Sequence, residues 1–329
     1  MHSQCNNQPV CYPLEMSSQY LCPPLPPTPT PLPRAAHICS NATWTSNGVI
    51  VAGGGWGITN DKLAYPCGLD VDDEQTVYVT DLHNHRVMVW KKGATTGEVV
   101  GFFSSPTDVI IDRKTDNLII CESRNRRVVR QSRLNNINRQ TIISNVDCFG
   151  LALDDKGALY VSDTNQSAVR RYYPEQSLGE VVAGGNGQGN RLDQLNTPFF
   201  IFVDRDYSVY VADVQNHRIM KWMKDAKEGT VVAGGPGSEN DPVRLSNPRG
   251  VIIDQLGNMY VASHWNSAIK RWKKEATRAD IIIHQNGEAV SNPLTGPHGI
   301  AFDRRGNLFV ADQWTCTVWR FDIDKSLCS

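Results

Sequence analysis

Acidic residues recur at matching positions along the chain, and carboxylates can bind metal ions or transfer protons. At several of these positions the aspartate is followed by a glycine at the fourth position, as in Asp154 to Gly157. Aspartate first and glycine fourth is the preference of a type I turn, in which the carboxylate caps nearby backbone amides. We therefore expect these aspartates to stabilise turns and to lie too far apart to share a cation. The set comprises Asp72, Asp112, Asp154, Asp204, Asp254 and Asp303.

A second set of acidic residues has arginines at a fixed distance. In part of the set an arginine follows the acid by five residues, a spacing that predicts ion pairs stabilising a turn between two strands. These pairs are Asp81 with Arg86, Glu122 with Arg127 and Asp213 with Arg218, whereas Asp163 and Asp312 lack the arginine.

The elements that position these acids form a pattern that occurs six times. Each copy opens with a short apolar strand ending in an aspartate of the first set, and successive copies start 40 to 50 residues apart. A second strand, a third ending in an aromatic residue and a fourth follow within the unit. Four short strands per unit is typical of a propeller blade, because such a sheet buries both faces only when it stacks on its neighbours. We predict an all-β, six-bladed β-propeller, with units starting near residues 66, 106, 148, 198, 248 and 297.

The two ends of the repeat region complement each other. The sixth unit stops near Phe321 without a fourth strand, whereas residues 48–54 read as a fourth strand with no unit before it. Pairing of this N-terminal strand with the last blade would close the ring and remove a sheet edge. Cys39 and Cys328 flank the two segments, and we predict a disulfide between them that locks the closure.

Residues 1–47 differ in composition from the rest of the 329-residue chain. They contain nine of its 18 prolines, which lack backbone donors and disfavour both helix and sheet. We predict an extended stalk over 1–47 and a propeller over 48–329; docking of the Pro-x-x-Pro spacing to a partner is the alternative. Glycosylation sequons occur at Asn41 and Asn165.

Cysteine usage bears on the compartment. Four of the nine cysteines precede residue 48 and Cys328 is the penultimate residue, which favours disulfides and an oxidising, extracellular location. No signal peptide is present in the sequence, and a cytoplasmic protein is the alternative, in which Cys67, Cys121 and Cys148 would be buried as small apolar residues inside strands. The net charge of −1 gives no global basic field, and no apolar run has the length of a membrane span.

The repeat resembles a known family. A proline, a glycine two residues later and a closing aspartate are followed by a valine–x–aspartate–x–x–asparagine–x–arginine run, best seen in residues 79–87 (VTDLHNHRV) and 211–219 (VADVQNHRI). This pattern resembles the NHL repeat of six-bladed propellers, and the resemblance covers about residues 48–322. It implies one of several roles: a protein- or RNA-binding platform, including the substrate-recognition module of ubiquitin ligases, an extracellular sensor, or the lyase half of a peptide-amidating enzyme.

The amidating-lyase alternative requires histidines from several blades around a zinc ion, at the position after the proline. That position holds only one histidine, which is too few for a three-histidine site. A calcium-dependent hydrolase would need several oxygens in the channel, and Asp70 with Asp108 is too few. Since no serine or cysteine nucleophile motif occurs either, we expect no catalytic residue, metal or cofactor, and enzyme activity is the less favoured interpretation. The residues after the proline are Cys67, Thr107, Phe149, Phe199, Arg249 and His298.

RNA binding has one supporting feature, an arginine run within residues 124–130. Charged residues on a solvated third strand explain it more simply, because lysines recur at similar positions in other units, and we expect nucleic acid not to be a partner. The run contains Arg124, Arg126, Arg127 and Arg130.

The sequence as a whole favours a monomeric, non-catalytic binding propeller that presents its rim and channel mouth to a protein or glycan partner. The loops after the fourth strands, residues 184–197, 234–247 and 286–296, are long and variable, and loops on a rigid ring are suited to contact a partner. The residues predicted to bind are Trp56, Asp70, Asp108, Arg191, Arg244, Arg249 and His298.

Overall fold

The structure is a computed structural model, and it describes residues 38–133, 139–174, 176–235, 244–284, 294–326 and 328, together with two short strands near the N-terminus. The chain divides into two compact units, Met1–Arg34 and Ala35–Ser329. In the first unit, Tyr12–Pro13 pairs antiparallel with Tyr20–Leu21. The rest of the proline-rich segment before residue 38 lies outside the described residues.

The second unit is a ring of six four-stranded antiparallel sheets, which confirms the propeller prediction. In blades 1 to 5 the strands follow chain order from the channel outward, and the first strands of all six blades contact one another around the full ring. Blades 1 to 3 are formed by Pro66–Val71, Val77–Asp81, Arg86–Trp90 and Glu98–Phe102; by Pro106–Asp112, Asn117–Glu122, Arg127–Ser132 and Gln140–Ser144; and by Cys148–Leu153, Leu159–Asp163, Ala168–Tyr172 and Glu180–Gly184. Blades 4 and 5 are formed by Pro198–Val203, Val209–Asp213, Arg218–Trp222 and Thr230–Gly234; and by Pro248–Ile253, Met259–Ser263, Ala268–Trp272 and Ala279–His284.

Blade 6 joins the two ends of the ring. Its first three strands are Pro297–Phe302, Leu308–Asp312 and Thr317–Phe321, and its fourth is the N-terminal strand Val49–Ala52, which pairs antiparallel with Thr317–Phe321. The described residues contain no α-helix, and the one-turn 3-10 helices Ser123–Asn125, Val214–Asn216 and His264–Asn266 lie between second and third strands.

The hydrophobic core consists of clusters that lie between neighbouring blades. One cluster joins blades 3 and 4 through Tyr160, Val211 and Trp222, and another joins blades 6 and 1 through Phe309 and Trp90. Equivalent clusters fill the other interfaces. The apolar faces are therefore buried only when the blades stack, as the sequence pattern predicts for short sheets.

Residues 38–44 precede the predicted propeller start at residue 48 and pack against the propeller. Ile38, Ala42 and Trp44 are buried against blades 5 and 6. The indole Nε1 of Trp44 donates to the carbonyl of Gly306 at 2.9 Å, and Thr43–Trp44 pairs with Ile323–Asp324. This packing makes residues 38–44 part of the folded domain, because a tryptophan buries a large apolar area with its polar end satisfied.

Two disulfides lie within this unit. Cys39 is bonded to Cys328, as predicted, and the bond ties residues 38–44 to the C-terminal end. Cys121 and Cys148 form a second disulfide between blades 2 and 3. The cytoplasmic alternative treated these two cysteines as buried apolar residues. They are bonded instead, because the second strand of blade 2 and the first strand of blade 3 place the two side chains next to each other.

The recurrent aspartates have the turn-stabilising role expected of them. Oδ1 of Asp154 accepts hydrogen bonds from the amides of Lys156 and Ala158 at 2.9 and 2.8 Å. The same pattern occurs at Asp72, Asp204, Asp254 and Asp303. These carboxylates are thereby engaged by the backbone.

Candidate functional site at the channel mouth

The topology places two kinds of loop at the same end of the propeller. Each first strand begins where the loop from the preceding fourth strand arrives, and the turn between second and third strands returns to that same end. We call this end the loop face. The inner strands begin at this end, and their first residues are Pro66, Pro106, Cys148, Pro198, Pro248 and Pro297.

The residue after each of these positions points into the channel near the loop face. A register shift follows the first residue of the strand in most blades, and such a bulge turns the next side chain away from the sheet. The rings of Phe149 and Phe199 stack with centroids 3.5 Å apart. Across the channel, the centroid of His298 lies 6.1 Å from that of Phe149 and 5.3 Å from that of Phe200. The contact between Phe149 and His298 therefore spans the channel, because blades 3 and 6 lie opposite each other in the ring.

A thiol and an imidazole lie next to each other in the same part of the channel. Sγ of Cys67 lies 3.5 Å from Nδ1 of His298, and both side chains are buried. Burial raises the pKa of the Cys67 thiol well above its usual value, and the nearby Asp108 raises it further. Burial also lowers the pKa of His298, with a smaller contribution from the positive charge of Arg249. At neutral pH the pair is a neutral thiol beside a neutral imidazole.

The contact between Cys67 and His298 was not predicted from the sequence. The two residues occupy the same repeat position in blades 1 and 6, which become neighbours only when the ring closes. Aligning the repeats and joining the last to the first would have found the contact. A closed site of this kind lacks the thiolate that makes cysteine a nucleophile.

Asp70 and Asp108 bridge neighbouring blades. Asp108 is buried and accepts hydrogen bonds from the amides of Val109 and Leu151, each at 2.9 Å. Burial raises the pKa of its carboxyl well above the usual value. Asp70 accepts a hydrogen bond from the amide of Ile111 at 2.9 Å and forms an ion pair with Arg113 at 3.3 Å. Each of the two carboxylates therefore accepts a hydrogen bond from a backbone amide of the next blade, and Asp70 also pairs with Arg113.

Arg249 lies at the mouth itself. Its Cζ is 4.5 Å from the centroid of the Phe199 ring, and the side chain is half-buried. Its Nε is buried without a hydrogen-bond partner. Burial lowers the pKa of the guanidinium to about 10, so the group is charged at neutral pH.

His264 packs between His298 at the channel mouth and the exposed Trp314. Its ring centroid lies 5.9 Å from that of His298, and its Nδ1 lies 3.2 Å from the carbonyl of Pro297. Burial, followed by the charge of Arg249, lowers the pKa of His264 to about 4. The indole of Trp314 packs edge-on against His264 with centroids 4.9 Å apart.

Three exposed tryptophans share the loop face. Trp56 lies in the loop that enters blade 1, and Trp265 and Trp314 lie in the second-to-third-strand turns of blades 5 and 6. Their exposed fractions are 61%, 58% and 52%. Blades 5, 6 and 1 are consecutive around the ring, and we call these three residues the aromatic arc. Only Trp56 was among the residues predicted to bind.

The remaining predicted binding residues lie farther from the channel. Arg191 is exposed and pairs with Asp193 at 2.9 Å. The carbonyl of Arg244 accepts a hydrogen bond from Nζ of Lys270 at 2.6 Å. Parts of the long loops, residues 236–243 and 285–293, lie outside the described residues.

The arginine run of blade 2 is engaged within the protein. Arg126 pairs with Asp147 at 2.9 Å, Arg127 pairs with Glu122, and Arg130 donates to the side-chain oxygen of Gln140 at 2.9 Å. Arg124 is exposed in the turn. These contacts fit the interpretation of the run as a solvated strand with local ion pairs.

Within the described ranges, no three histidine, cysteine, aspartate or glutamate side chains are grouped so that they could hold a metal ion. Nor does any helix of that part of the chain have the length and apolar character that crossing a bilayer requires.

Fold and site together define a six-bladed β-propeller of the NHL type with an aromatic- and arginine-lined channel mouth. The family model described as SMP-30/Gluconolactonase/LRE-like region matches residues 66–296, and the NHL repeat model matches residues 294–321. Because the first match covers more than half of the sequence, the chain belongs to the SMP-30/gluconolactonase/LRE-like family. No curated protein sequence matches the chain.

Solved structures with the same fold come from proteins with different roles. An auxiliary nutrient binding protein from Bacteroides thetaiotaomicron is similar with a TM-score of 0.67 and 15% identity, over 85% of this chain and 77% of that chain. A gluconolactonase from Xanthomonas campestris gives a TM-score of 0.63 at 14% identity, over 88% and 100%. A chain of a nidogen/laminin complex gives 0.58 at 16% identity, over 71% and 83%. At these identities the similarity shows the fold alone.

Proposed function

We propose that the protein is an extracellular, monomeric binding propeller that holds a protein or glycan partner on its loop face. The role is non-catalytic: the ring presents fixed side chains to the partner and does not deform. The similar structures include an auxiliary nutrient binding protein and a chain of a nidogen/laminin complex, which supports a binding role for this fold.

The aromatic arc is the observation that carries the proposal. Tryptophan is enriched in binding hot spots, because it offers a large rigid apolar area with one hydrogen-bond donor. Three half-exposed tryptophans on consecutive blades of one face are an uncommon surface unless a partner covers them.

The turns between the second and third strands of blades 2 and 3 contain no tryptophan. The corresponding turn of blade 2 exposes Arg124, and that of blade 3 exposes Asn165, which belongs to a glycosylation sequon. A glycan on Asn165 would cover the loop face on the side opposite blade 6. The partner is therefore expected to bind over blades 5, 6 and 1.

Disulfides and exposed sequons support the extracellular assignment. The bonds Cys39–Cys328 and Cys121–Cys148 are stable in an oxidising compartment. Asn41 and Asn165 are exposed. Both sites are accessible to glycosylation in a secreted protein.

The test is binding of the labelled full chain to two printed arrays, one of neutral and acidic glycans and one of purified extracellular protein domains. We expect the variant carrying Trp56→Ala, Trp265→Ala and Trp314→Ala to lose at least tenfold in affinity for the bound target. A matched variant, Met223→Ala with Leu256→Ala, removes exposed apolar side chains at the opposite end of the blades and should bind as wild type. Unchanged binding by the tryptophan variant, or no binding of wild type to either array, would overturn the proposal.

A further inference from the structure

The loop that enters blade 1, residues 53–65, is held by the same hydrogen bonds as the loop that enters blade 4, residues 185–197. In blade 1 the amide of Gly57 donates to the carbonyl of Leu63 at 3.1 Å, and the equivalent glycine and leucine of blade 4 form this bond at the same distance. An asparagine of the adjoining turn donates to the carbonyl of that glycine at 2.8 Å in both blades. A buried arginine also donates to carbonyls of each loop. The two loops therefore share one backbone scaffold.

The side chains on this shared scaffold differ. Three aromatic residues of blade 1 have neutral polar counterparts in blade 4, and the pairs are Trp56 and Gln188, Tyr65 and Thr197, and His83 and Gln215. Because the loop of blade 4 forms the same hydrogen bonds without aromatic side chains, these side chains are not needed for the loop to fold. Trp56 nevertheless exposes 61% of its surface, and exposed apolar area costs free energy in water. A ligand on Trp56 accounts for this residue better than the fold does.

The geometry of the three rings leaves one face of Trp56 open. Tyr65 and His83 stack in parallel with centroids 4.4 Å apart. The indole is close to perpendicular to both rings, with centroid distances of 6.3 Å to Tyr65 and 5.7 Å to His83. Because these two distances are similar, Trp56 lies beside the stacked pair and not over either of its faces. The pair thus covers at most one face of the indole, and the exposed fraction of 61% places the other face in solvent.

The surroundings of this open face carry no net charge. The charged residues of the entry loop are Asp61 and Lys62, which are adjacent and of opposite sign. The turns of the other two tryptophans of the aromatic arc contain no aspartate, glutamate, lysine or arginine. The loop of Trp56 also exposes the neutral side chains of Thr59 and Asn60. Since tryptophan in protein interfaces is commonly accompanied by arginine, this uncharged surface fits a neutral glycan better than a protein.

We propose that the open face of Trp56 binds a neutral hexopyranose unit of a glycan, and that neutral side chains of the same loop bond its hydroxyls. A pyranose ring has a face of C–H groups that matches the flat apolar face of an indole, and its hydroxyls project from the edge of the ring. The C–H face can therefore pack on the indole while the hydroxyls keep their hydrogen bonds. This inference rests on the loop-face binding proposed above and names the class of ligand.

The experiment titrates the full chain with the neutral methyl glycosides of glucose, galactose, mannose and N-acetylglucosamine, and saturation-transfer NMR follows binding. Sorbitol is the control ligand, because it has the hydroxyls of a hexose without a ring face. We expect at least one glycoside to bind, with saturation strongest on the C–H protons of one ring face. Sorbitol should not bind.

Two substitutions introduce the side chains of the blade 4 loop, whose scaffold folds with them. Trp56→Gln removes the aromatic face and should weaken binding of the glycoside by at least about tenfold. Ile58→Asn is the matched control: Asn190 is the counterpart of Ile58, whose exposed fraction is 78%, and a protein partner covering the loop would contact it. Its effect on the glycoside should be less than about twofold.

A third variant, Trp56→Phe, keeps a smaller flat face and should bind more tightly than Trp56→Gln. This difference separates loss of the ring face from loss of loop structure, and the melting temperatures of all three variants check the fold.

Binding of no glycoside, equal binding of sorbitol, or unchanged affinity in Trp56→Gln would overturn the inference. Equal losses in Trp56→Gln and Ile58→Asn would also overturn it, because they indicate a general apolar contact. The two proposals fail separately. Array binding to protein domains without binding of any glycoside overturns the sugar site and leaves the loop-face proposal standing. Glycoside binding that depends on Trp56, with unchanged array binding in the tryptophan variant, overturns the loop-face proposal alone.

Discussion

Nε of Arg218 donates to Oδ2 of Asp213 at 2.7 Å, with both side chains buried. The same guanidinium donates to the carbonyls of Asn190, Arg191 and Gln194 at 2.8 to 3.1 Å. One ion pair thus anchors the loop that leads from blade 3 into blade 4. Arg86 and Asp81 repeat the arrangement for the loop that contains Trp56.

Replacing one member of this buried ion pair should lower the free energy of unfolding. Arg218→Met leaves the Asp213 carboxylate buried without its cation, and we expect the free energy of unfolding to fall by about 3 kcal/mol. Urea unfolding followed by fluorescence measures the change. Lys91→Met is the control, because Lys91 and Glu98 form an exposed pair whose loss should cost well under about 1 kcal/mol. Similar losses in the two variants would contradict the assigned role.

Removal of the Cys39–Cys328 disulfide should destabilise the ring more than removal of the other disulfide. The bond spans 289 residues and Cys121–Cys148 spans 27. The chain-entropy estimate is about 5.7 kcal/mol for the first bond and about 3.6 kcal/mol for the second. Guanidinium unfolding of Cys39→Ser with Cys328→Ser, against Cys121→Ser with Cys148→Ser, makes the comparison. Non-reducing peptide mapping of the wild type checks the pairing itself, and free thiols at positions 39 and 328 would refute it.

Acidification should weaken the contribution of the buried His264 to stability. The folded-state pKa of His264 is about 4, below its usual value of 6.5. The unfolded chain therefore binds a proton at a pH where the folded chain does not, and the stabilisation present above pH 6.5 is lost as the pH falls toward 4. From pH 7 to pH 5 we expect this residue to account for a loss of about 2 kcal/mol.

Comparison of wild type with His264→Gln isolates this effect from the buried carboxyls, whose raised pKa values act in the opposite direction. The measurement is urea unfolding of both proteins at pH 7 and pH 5. A difference between the two proteins that does not change with pH would show that His264 is accessible to protons in the folded state.

Close contact between inner strands should make one glycine irreplaceable. A Cβ on Gly150 would lie 2.6 Å from the carbonyl oxygen of Phe199 and 2.7 Å from Cα of Phe200, both in the next blade. We expect Gly150→Ala to lower the free energy of unfolding by at least about 2 kcal/mol, because backbone atoms must shift. Gly54→Ala is the control, since its Cβ meets nothing closer than 3.2 Å. Thermal melting of the two variants tests the contact.

Much of the fold could be predicted because each blade repeats local information. The strand pattern, the turn aspartates and the acid–arginine spacing each depend on residues within one unit. The closing strand Val49–Ala52 could be predicted because an unpaired fourth strand and a three-stranded last unit have one obvious combination. The predicted disulfide Cys39–Cys328 followed from the same reasoning.

The rest depends on which blades become neighbours in space. Trp44 lies in a short segment without a repeat pattern, and its partners Gly306 and Tyr260 come from blades 6 and 5. The contact between Cys67 and His298 needs the ring closed and the channel filled. The aromatic arc was found only in part, because Trp265 and Trp314 occupy turn positions whose exposure a sequence does not show.

Closure of the ring by Val49–Ala52 brings both ends of the folded domain to one blade, where Cys39 and Cys328 have Cα atoms 5.8 Å apart. The order of the blades along the chain could therefore be changed while their order around the ring stays the same. A circularly permuted chain, with a short linker joining these ends and new termini cut into the exposed turn after Asp204, would keep every blade beside the same neighbours. A tag fused at Ile38 of the unpermuted domain would emerge beside the turns of blades 5 and 6 that contain Gln255 and Gly306, at the end opposite the loop face.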